Sequence, residues 1–137
     1  MFCFLHETAH LAALIAVGGK PECLNISFFG IALKYDSKLT IVKESLVISA
    51  GPLFNIILFL ILNDNINLFL AVLNLLPIYP LDGGRLIKLL FGSAAKYISI
   101  IFLGIMLIFS LYLLIYHSIF TLLLVCIYLI VFNMRSL

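Results

Sequence analysis

The sequence predicts an α-helical polytopic membrane protein with about four to five transmembrane helices and a small membrane-associated β-hairpin or sheet at residues 22–43. Three observations predict this class. Of the 137 residues, 65% are hydrophobic and 10% are charged, whereas about a quarter of a soluble domain is charged. Charge-free runs cover residues 8–19, 45–63, 65–81 and 97–134, and a helix that crosses the hydrocarbon core needs about 20 such residues. The hairpin segment instead alternates apolar and polar residues.

The first predicted helix comprises residues 2–17. Two glycines and the pair Lys20-Pro21 follow it, an arrangement typical of a helix end. The helix is short for a complete crossing.

Residues 22–43 show the period of a strand rather than of a helix. Apolar and polar residues alternate from Leu24 to Phe28, a glycine interrupts them, and a second apolar run ends at Tyr35. This pattern predicts a β-hairpin, with a third strand at 39–42.

The remaining apolar runs predict helices at 45–62, about 66–76, 85–91, 97–116 and 119–134. Gly51-Pro52 is interpreted as a kink within the first of these. Pro77, Pro80 and Asp82-Gly83-Gly84 then interrupt the apolar, helical pattern before residue 85. Irregular backbone at membrane depth is tolerated only where protein buries it or where it lines a cavity, so this break predicts a functional site. The last two helices are expected to turn at His117-Ser118.

Basic residues lie on one side of the predicted crossings only. They are Lys20, Lys34, Lys38, Lys43, Arg85, Lys88, Lys96 and Arg135, and the opposite loops 63–67 and 117–118 contain none. The positive-inside rule therefore predicts a multi-pass protein of the cell membrane whose hairpin and C-terminus face the cytoplasm.

Composition also excludes several function classes. A net charge of +2 spread along the chain gives no basic face for nucleic acid. The cysteines Cys3, Cys23 and Cys126 form an odd set without a CxxC pair, so they are expected to be free thiols rather than disulfides or zinc ligands. The lipid bilayer is the expected environment of the whole chain, residues 1–137, which is expected to form one domain.

The segment His6-Glu7-Thr8-Ala9-His10 has the pattern HExxH. On a helix, histidines four residues apart share one face, and two neutral imidazoles can bind zinc. The glutamate beside them can accept a proton from water that the metal activates. An ionisable cluster inside an apolar helix is a functional-site hypothesis in itself.

A catalytic zinc needs a third protein ligand, and two candidates are available. Asp82 lies between two apolar stretches at the predicted break. About 9 Å of helix separates it from Lys88, which places it inside the membrane near the cytoplasmic side and favours it as the third ligand. His117 is the alternative, but the predicted topology places it on the opposite face of the membrane, where it would be an interfacial loop residue.

Three segments together resemble the site-2 protease family of intramembrane zinc metalloproteases, peptidase family M50. They are HETAH at 6–10, AGPLFN at 50–55 and NLLPIYPLDGGR at 74–85. The double glycine after the first helix, the hairpin and the small size look most similar to the stage IV sporulation subgroup, which processes a membrane-tethered pro-sigma factor.

The resemblance implies a role for each matched residue. His6, His10 and Asp82 would bind Zn²⁺, and Glu7 would be the general base. Asn55 and Asn74 would lie near the catalytic centre, where their amides could hold the substrate. The alternative for both asparagines is hydrogen bonding between helices.

The leading hypothesis is therefore an intramembrane zinc endopeptidase that cleaves a membrane-embedded or membrane-tethered protein near the cytoplasmic face. Alternatives are a catalytically inactive scaffold or chaperone that retains the fold, and a metal transporter. A transporter needs no general base such as Glu7. Family members usually carry a helix before HExxH, whereas five residues precede His6, so an N-terminal helix is expected to be missing or dispensable.

Overall fold

The computed structural model describes residues 2–19, 21–27, 30–35 and 39–135, and for the segments 21–27 and 30–35 it describes the backbone. Within these residues the chain is mainly helical. The elements are α1 (Phe2–Ala16), β1 (Pro21–Ser27), β2 (Gly30–Tyr35), α2 (Ile41–Leu62), α3 (Asn65–Asn74), α4 (Asp82–Phe91), α5 (Ala94–His117) and α6 (Thr121–Arg135). They fall into two compact units, Met1–Leu75 and Leu76–Leu137.

The first helix ends where the glycines predict. Gly18 adopts a positive φ of 81°, a conformation that glycine reaches without steric cost. Its N–H donates to the Ile15 carbonyl, and the Gly19 N–H donates to the Leu14 carbonyl, at 3.0 and 2.9 Å. These bonds satisfy carbonyls that a helix end would otherwise leave unpaired. Leu14 is fully buried and packs with Val47 of α2.

The segment after α1 forms two antiparallel strands, β1 and β2, with Leu24 opposite Leu33 and Ile26 opposite Ile31. The predicted third strand at 39–42 is wrong, because α2 already begins at Ile41. Thr40 has extended backbone angles, and its side-chain oxygen accepts from the Lys43 N–H at 3.5 Å. A threonine in this position caps a helix, which explains why α2 starts four residues before the predicted start.

The second helix continues through Pro52 as far as Leu62. Asn63 then ends it with a positive φ of 51°. Asp64 caps α3, since its carboxylate accepts from the Ile66 N–H at 3.1 Å and from the Asn67 side-chain amide at 3.3 Å. A boundary of two polar residues therefore separates α2 from α3.

In the second unit, the break between α3 and α4 has hydrogen bonds of its own. The Ile78 and Leu81 N–H groups donate to nearby loop carbonyls, and the Ser99 hydroxyl donates to the Pro77 carbonyl at 2.9 Å. Ile78 is fully buried and packs with Leu103 and Leu129. Protein therefore buries Ile78 at the centre of the break, and the hydrogen bonds satisfy part of its backbone, as irregular backbone at membrane depth requires.

The break is shorter than predicted, because α4 begins at Asp82 rather than at residue 85. Gly84 allows the loop to lie against this helix, since a Cβ at that position would collide with the backbone of Ile78 and Tyr79. The predicted turn between the last two helices is confirmed: α5 ends at His117, and Ser118 has a positive φ of 55°.

Two helices of the described chain, α2 and α5, are long and apolar enough to cross a membrane. The prediction of about four to five spanning helices is therefore wrong by this criterion. The α1 and α6 helices have 15 residues each and α3 has 10, which gives roughly 22 and 15 Å against a hydrocarbon core of about 30 Å. Charge-free run length overestimated the count because turns interrupt the runs.

The two long helices expose most of their apolar surface. Within their most apolar windows, only 28% of α2 and 17% of α5 is buried, and side chains such as Ile115 are 73% exposed. The core helix of a soluble protein would be mostly buried, so lipid is the environment that this surface fits. The cytoplasmic orientation stays a prediction, and Lys20 and Lys38, on which it partly depends, lie outside the described residues.

Cys3 is exposed and Cys126 is buried, and both are free thiols as predicted. The side chain of Cys23 lies outside the described residues.

Candidate metal centre

The two histidines of HExxH lie one turn apart on α1, and both are buried, with 5% of His6 and 4% of His10 exposed. Their Nε2 atoms are 3.1 Å apart. Their ring planes are nearly perpendicular, at 83°. The structure therefore brings the two imidazoles of the i, i+4 pair together as a buried pair with neighbouring Nε2 atoms.

His10 is oriented by the second helix. Its Nδ1 lies 2.7 Å from the Val47 carbonyl oxygen. Because a carbonyl oxygen only accepts, this Nδ1 carries the hydrogen. In the neutral ring the Nε2 of His10 then carries the lone pair, which is the state that binds a metal.

His6 is oriented by Asn55, whose side-chain amide lies 3.0 Å from the His6 Nδ1. Asn55 is fully buried. The residue that the sequence singled out for substrate contact therefore lies against a predicted zinc ligand. Its other amide atom, Oδ1, has no hydrogen-bond partner among the described residues.

Gly51 allows α2 to approach the histidine pair. A Cβ at this position would lie 2.7 Å from Cε1 of His6 and from Cε1 of His10, closer than two carbon atoms pack. The sequence predicted only a kink at Gly51-Pro52 and not this contact. The spacing of Val47, Gly51 and Asn55 at i, i+4 and i+8 was the available signal, since it places all three on one face of the helix.

Glu7 follows His6 on α1 and is half-buried. Its predicted role as a general base requires a carboxylate beside the metal ligands and some access to water, and a half-buried position adjacent in sequence to His6 is compatible with both.

Asp82 belongs to the second unit and is the first residue of α4, where 7% of it is exposed. Its carboxylate lies 3.7 Å from Nη1 of Arg85. A carboxylate at the first position of a helix interacts favourably with the helix dipole.

The remaining candidates lie at helix ends. Asn74 is the half-buried last residue of α3. His117 is exposed at the end of α5, with its ring centroid 6.3 Å from that of Tyr112. An exposed position next to a tyrosine fits the predicted interfacial residue better than it fits a buried ligand.

The donor chemistry of this first unit fits zinc. Imidazoles are typical zinc ligands, and in known zinc sites a hydrogen bond to the second ring nitrogen orients each of them. Val47 and Asn55 provide such contacts here. Gly51 has no Cβ, so the space beside the two rings stays open.

A comparison with known protein families gives an independent result. The model of Peptidase family M50 matches residues 59–117, a segment that contains the end of α2 and all of α3, the break, α4 and α5. The match suggests a site-2 protease-like intramembrane metallopeptidase, and it gives no support to the sporulation subgroup. It covers fewer than half of the residues and does not include HExxH. No curated protein matches the chain significantly.

Proposed function

We propose that this protein is an intramembrane zinc endopeptidase of the site-2 protease type. The observation that carries the proposal is the buried pair His6 and His10, whose Nε2 atoms are 3.1 Å apart, with Glu7 beside them on the same helix. The match to the M50 family model over residues 59–117, which contain the segment NLLPIYPLDGGR, supports the proposal independently.

His6, His10 and Asp82 are the proposed zinc ligands. The histidines offer Nε2 atoms held by Val47 and Asn55. Asp82 is supported by its carboxylate chemistry, its burial at the start of α4 and its position within the segment that matches the family model. Two imidazoles and one carboxylate form a ligand set that leaves a fourth zinc position open for catalysis.

A zinc ion bound there would supply Lewis acidity that lowers the pKa of water and polarises a peptide carbonyl. Glu7 would accept the proton from the attacking water and pass it to the leaving amine. Asn74 is proposed to hold the substrate backbone through its amide.

The proposed substrate is a membrane-embedded or membrane-tethered protein that is cut near the cytoplasmic face. The exposed apolar surface of α2 and α5 supports a location in a bilayer, and a substrate would then reach the protein within the same bilayer. The side of the cut follows from the predicted orientation, in which basic residues face the cytoplasm.

Substitution of Glu7 by glutamine tests the proposal. The amide keeps the shape of the side chain but cannot accept the proton, so zinc content should stay at about one per chain while cleavage of a single-span reporter in proteoliposomes is lost. Glu44→Gln is the matched control, because it makes the same change in the first turn of α2 and should cleave normally.

Two results would contradict the proposal. Cleavage that survives in Glu7→Gln would remove Glu7 as the general base. Wild-type protein that binds zinc but cleaves no single-span reporter would favour the scaffold alternative.

A further inference from the structure

We infer that Asn55 is a positioning residue that sets which nitrogen of His6 carries hydrogen, and thereby whether the histidine pair is ready to bind metal. The inference rests on the proposed zinc site. It starts from the 3.0 Å contact between the Asn55 amide and the His6 Nδ1, in which the asparagine is fully buried.

The two histidines differ in how their second nitrogen is held. His10 faces the backbone carbonyl of Val47 at 2.7 Å, which accepts and never donates. The neutral ring of His10 is therefore fixed with hydrogen on Nδ1 and a lone pair on Nε2. Asn55 holds His6 instead, and an amide offers either a donor or an acceptor.

With its nitrogen toward His6, Asn55 donates to Nδ1, and the hydrogen of the neutral His6 ring lies on Nε2. That hydrogen can be donated to the His10 Nε2 at 3.1 Å. The result is a continuous chain of hydrogen bonds from Asn55 through both rings to the Val47 carbonyl. An Nε2 that carries hydrogen cannot bind zinc, so this arrangement belongs to the metal-free site.

With its oxygen toward His6, Asn55 accepts from Nδ1, and the lone pair of the neutral His6 ring lies on Nε2. Both Nε2 atoms can then bind one metal. Half a turn of the Asn55 amide exchanges the two arrangements, because its oxygen and nitrogen have nearly the same size and shape. Asn55 Oδ1, which points away from His6 in the structure, has no hydrogen-bond partner among the described residues, so the half-turn breaks no bond other than the one to His6.

Asparagine is therefore the side chain that serves both states. A carboxylate at this position would only accept, so it would hold His6 with hydrogen on Nδ1 permanently. An apolar side chain of similar size would hold neither arrangement. Loss of an outer partner of a metal ligand typically lowers metal affinity about 10- to 100-fold.

The test measures zinc affinity of the purified full chain in detergent, by competition with a chromophoric chelator. Asn55→Leu should bind zinc about 10- to 100-fold more weakly than wild type, whereas Asn55→Asp should bind it at least as tightly. Asn67→Leu is the matched control, because Asn67 is also a fully buried asparagine of the first unit but is bonded to Asp64. Its zinc affinity should equal that of wild type.

A second readout uses the metal-free protein and separates positioning from packing. Imidazole ¹⁵N chemical shifts distinguish Nδ1–H from Nε2–H, and His6→Gln identifies the His6 signals. Wild type should show His6 with hydrogen on Nε2, and Asn55→Asp should move it to Nδ1. A purely structural Asn55 would leave the His6 tautomer unchanged.

The outcomes separate the inference from the proposed function. Wild-type protein that binds no zinc would refute the zinc site and the inference together. Wild-type zinc binding with equal affinity in both Asn55 variants, or an unchanged His6 tautomer in Asn55→Asp, would refute the inference alone. If Asn55→Leu fails to fold, the affinity and tautomer of Asn55→Asp decide.

Discussion

Substitution of Gly51 by alanine should abolish tight zinc binding without disrupting the helices. The added Cβ would lie 2.7 Å from Cε1 of His6 and from Cε1 of His10. Carbon atoms pack at about 3.5 to 4.0 Å, so each ring must retreat by about 0.8 Å or α2 must move away by a similar distance.

This displacement is large for a zinc site. Zinc–nitrogen distances are about 2.0 to 2.1 Å and tolerate about 0.2 Å of error, so the rings would move by about four times that tolerance. We expect zinc affinity to fall at least 100-fold, which corresponds to about 2.7 kcal/mol of binding free energy.

The assay is again chelator competition on purified protein, together with far-ultraviolet circular dichroism and thermal unfolding. Gly104→Ala is the matched control, because a Cβ at that position of α5 meets nothing within 4 Å. Alanine favours a helix by about 1 kcal/mol over glycine, so this control should unfold no earlier than wild type and bind zinc normally. A folded Gly51→Ala variant with wild-type zinc affinity would show that Gly51 does not shape the site.

Two further predictions concern the second unit. Asp82→Ala should lower zinc affinity and His117→Ala should not, as metal analysis and chelator competition would show; the opposite result would make His117 the third ligand. Gly84→Ala should lower the thermal stability by about 1 to 3 kcal/mol, because its Cβ would collide with the backbone of Ile78 and Tyr79. An unchanged melting temperature would mean that the loop can move away without cost.

Local signals allowed much of the helical order to be predicted. Residues that adopt a positive φ end a helix, because the chain then turns and its N–H groups can pair with the last helical carbonyls. The helix ends near Gly18 and Ser118 are of this kind and lie where the sequence predicts them. The histidine pair was also predictable from a local signal, because side chains four residues apart on a helix lie on the same face.

The number of spanning helices was not predictable from hydrophobicity alone. A run without charges shows which residues can lie in lipid, but it does not show where a helix begins. Capping by Thr40 and Asp64 sets the first residues of α2 and α3. Contacts made across helices were equally hidden. Gly51 and Asn55 contact His6 and His10 of another helix. Their spacing shows that they share one face of α2, but it does not show which helix that face meets.

The register between α1 and α2 explains how distant segments of sequence bring Asn55 to the two proposed histidine ligands. The Lys43 ammonium donates to the Val17 carbonyl at 3.0 Å, where α1 ends and α2 begins. Roughly 16 Å of helix leads from Val17 back to His6, and about 18 Å leads from Lys43 forward to Asn55. These similar lengths run side by side in antiparallel helices, so Asn55 arrives at His6. The contact at one end is exposed and worth little alone, so the buried packing along α2, together with the absence of a side chain at Gly51, must set this register.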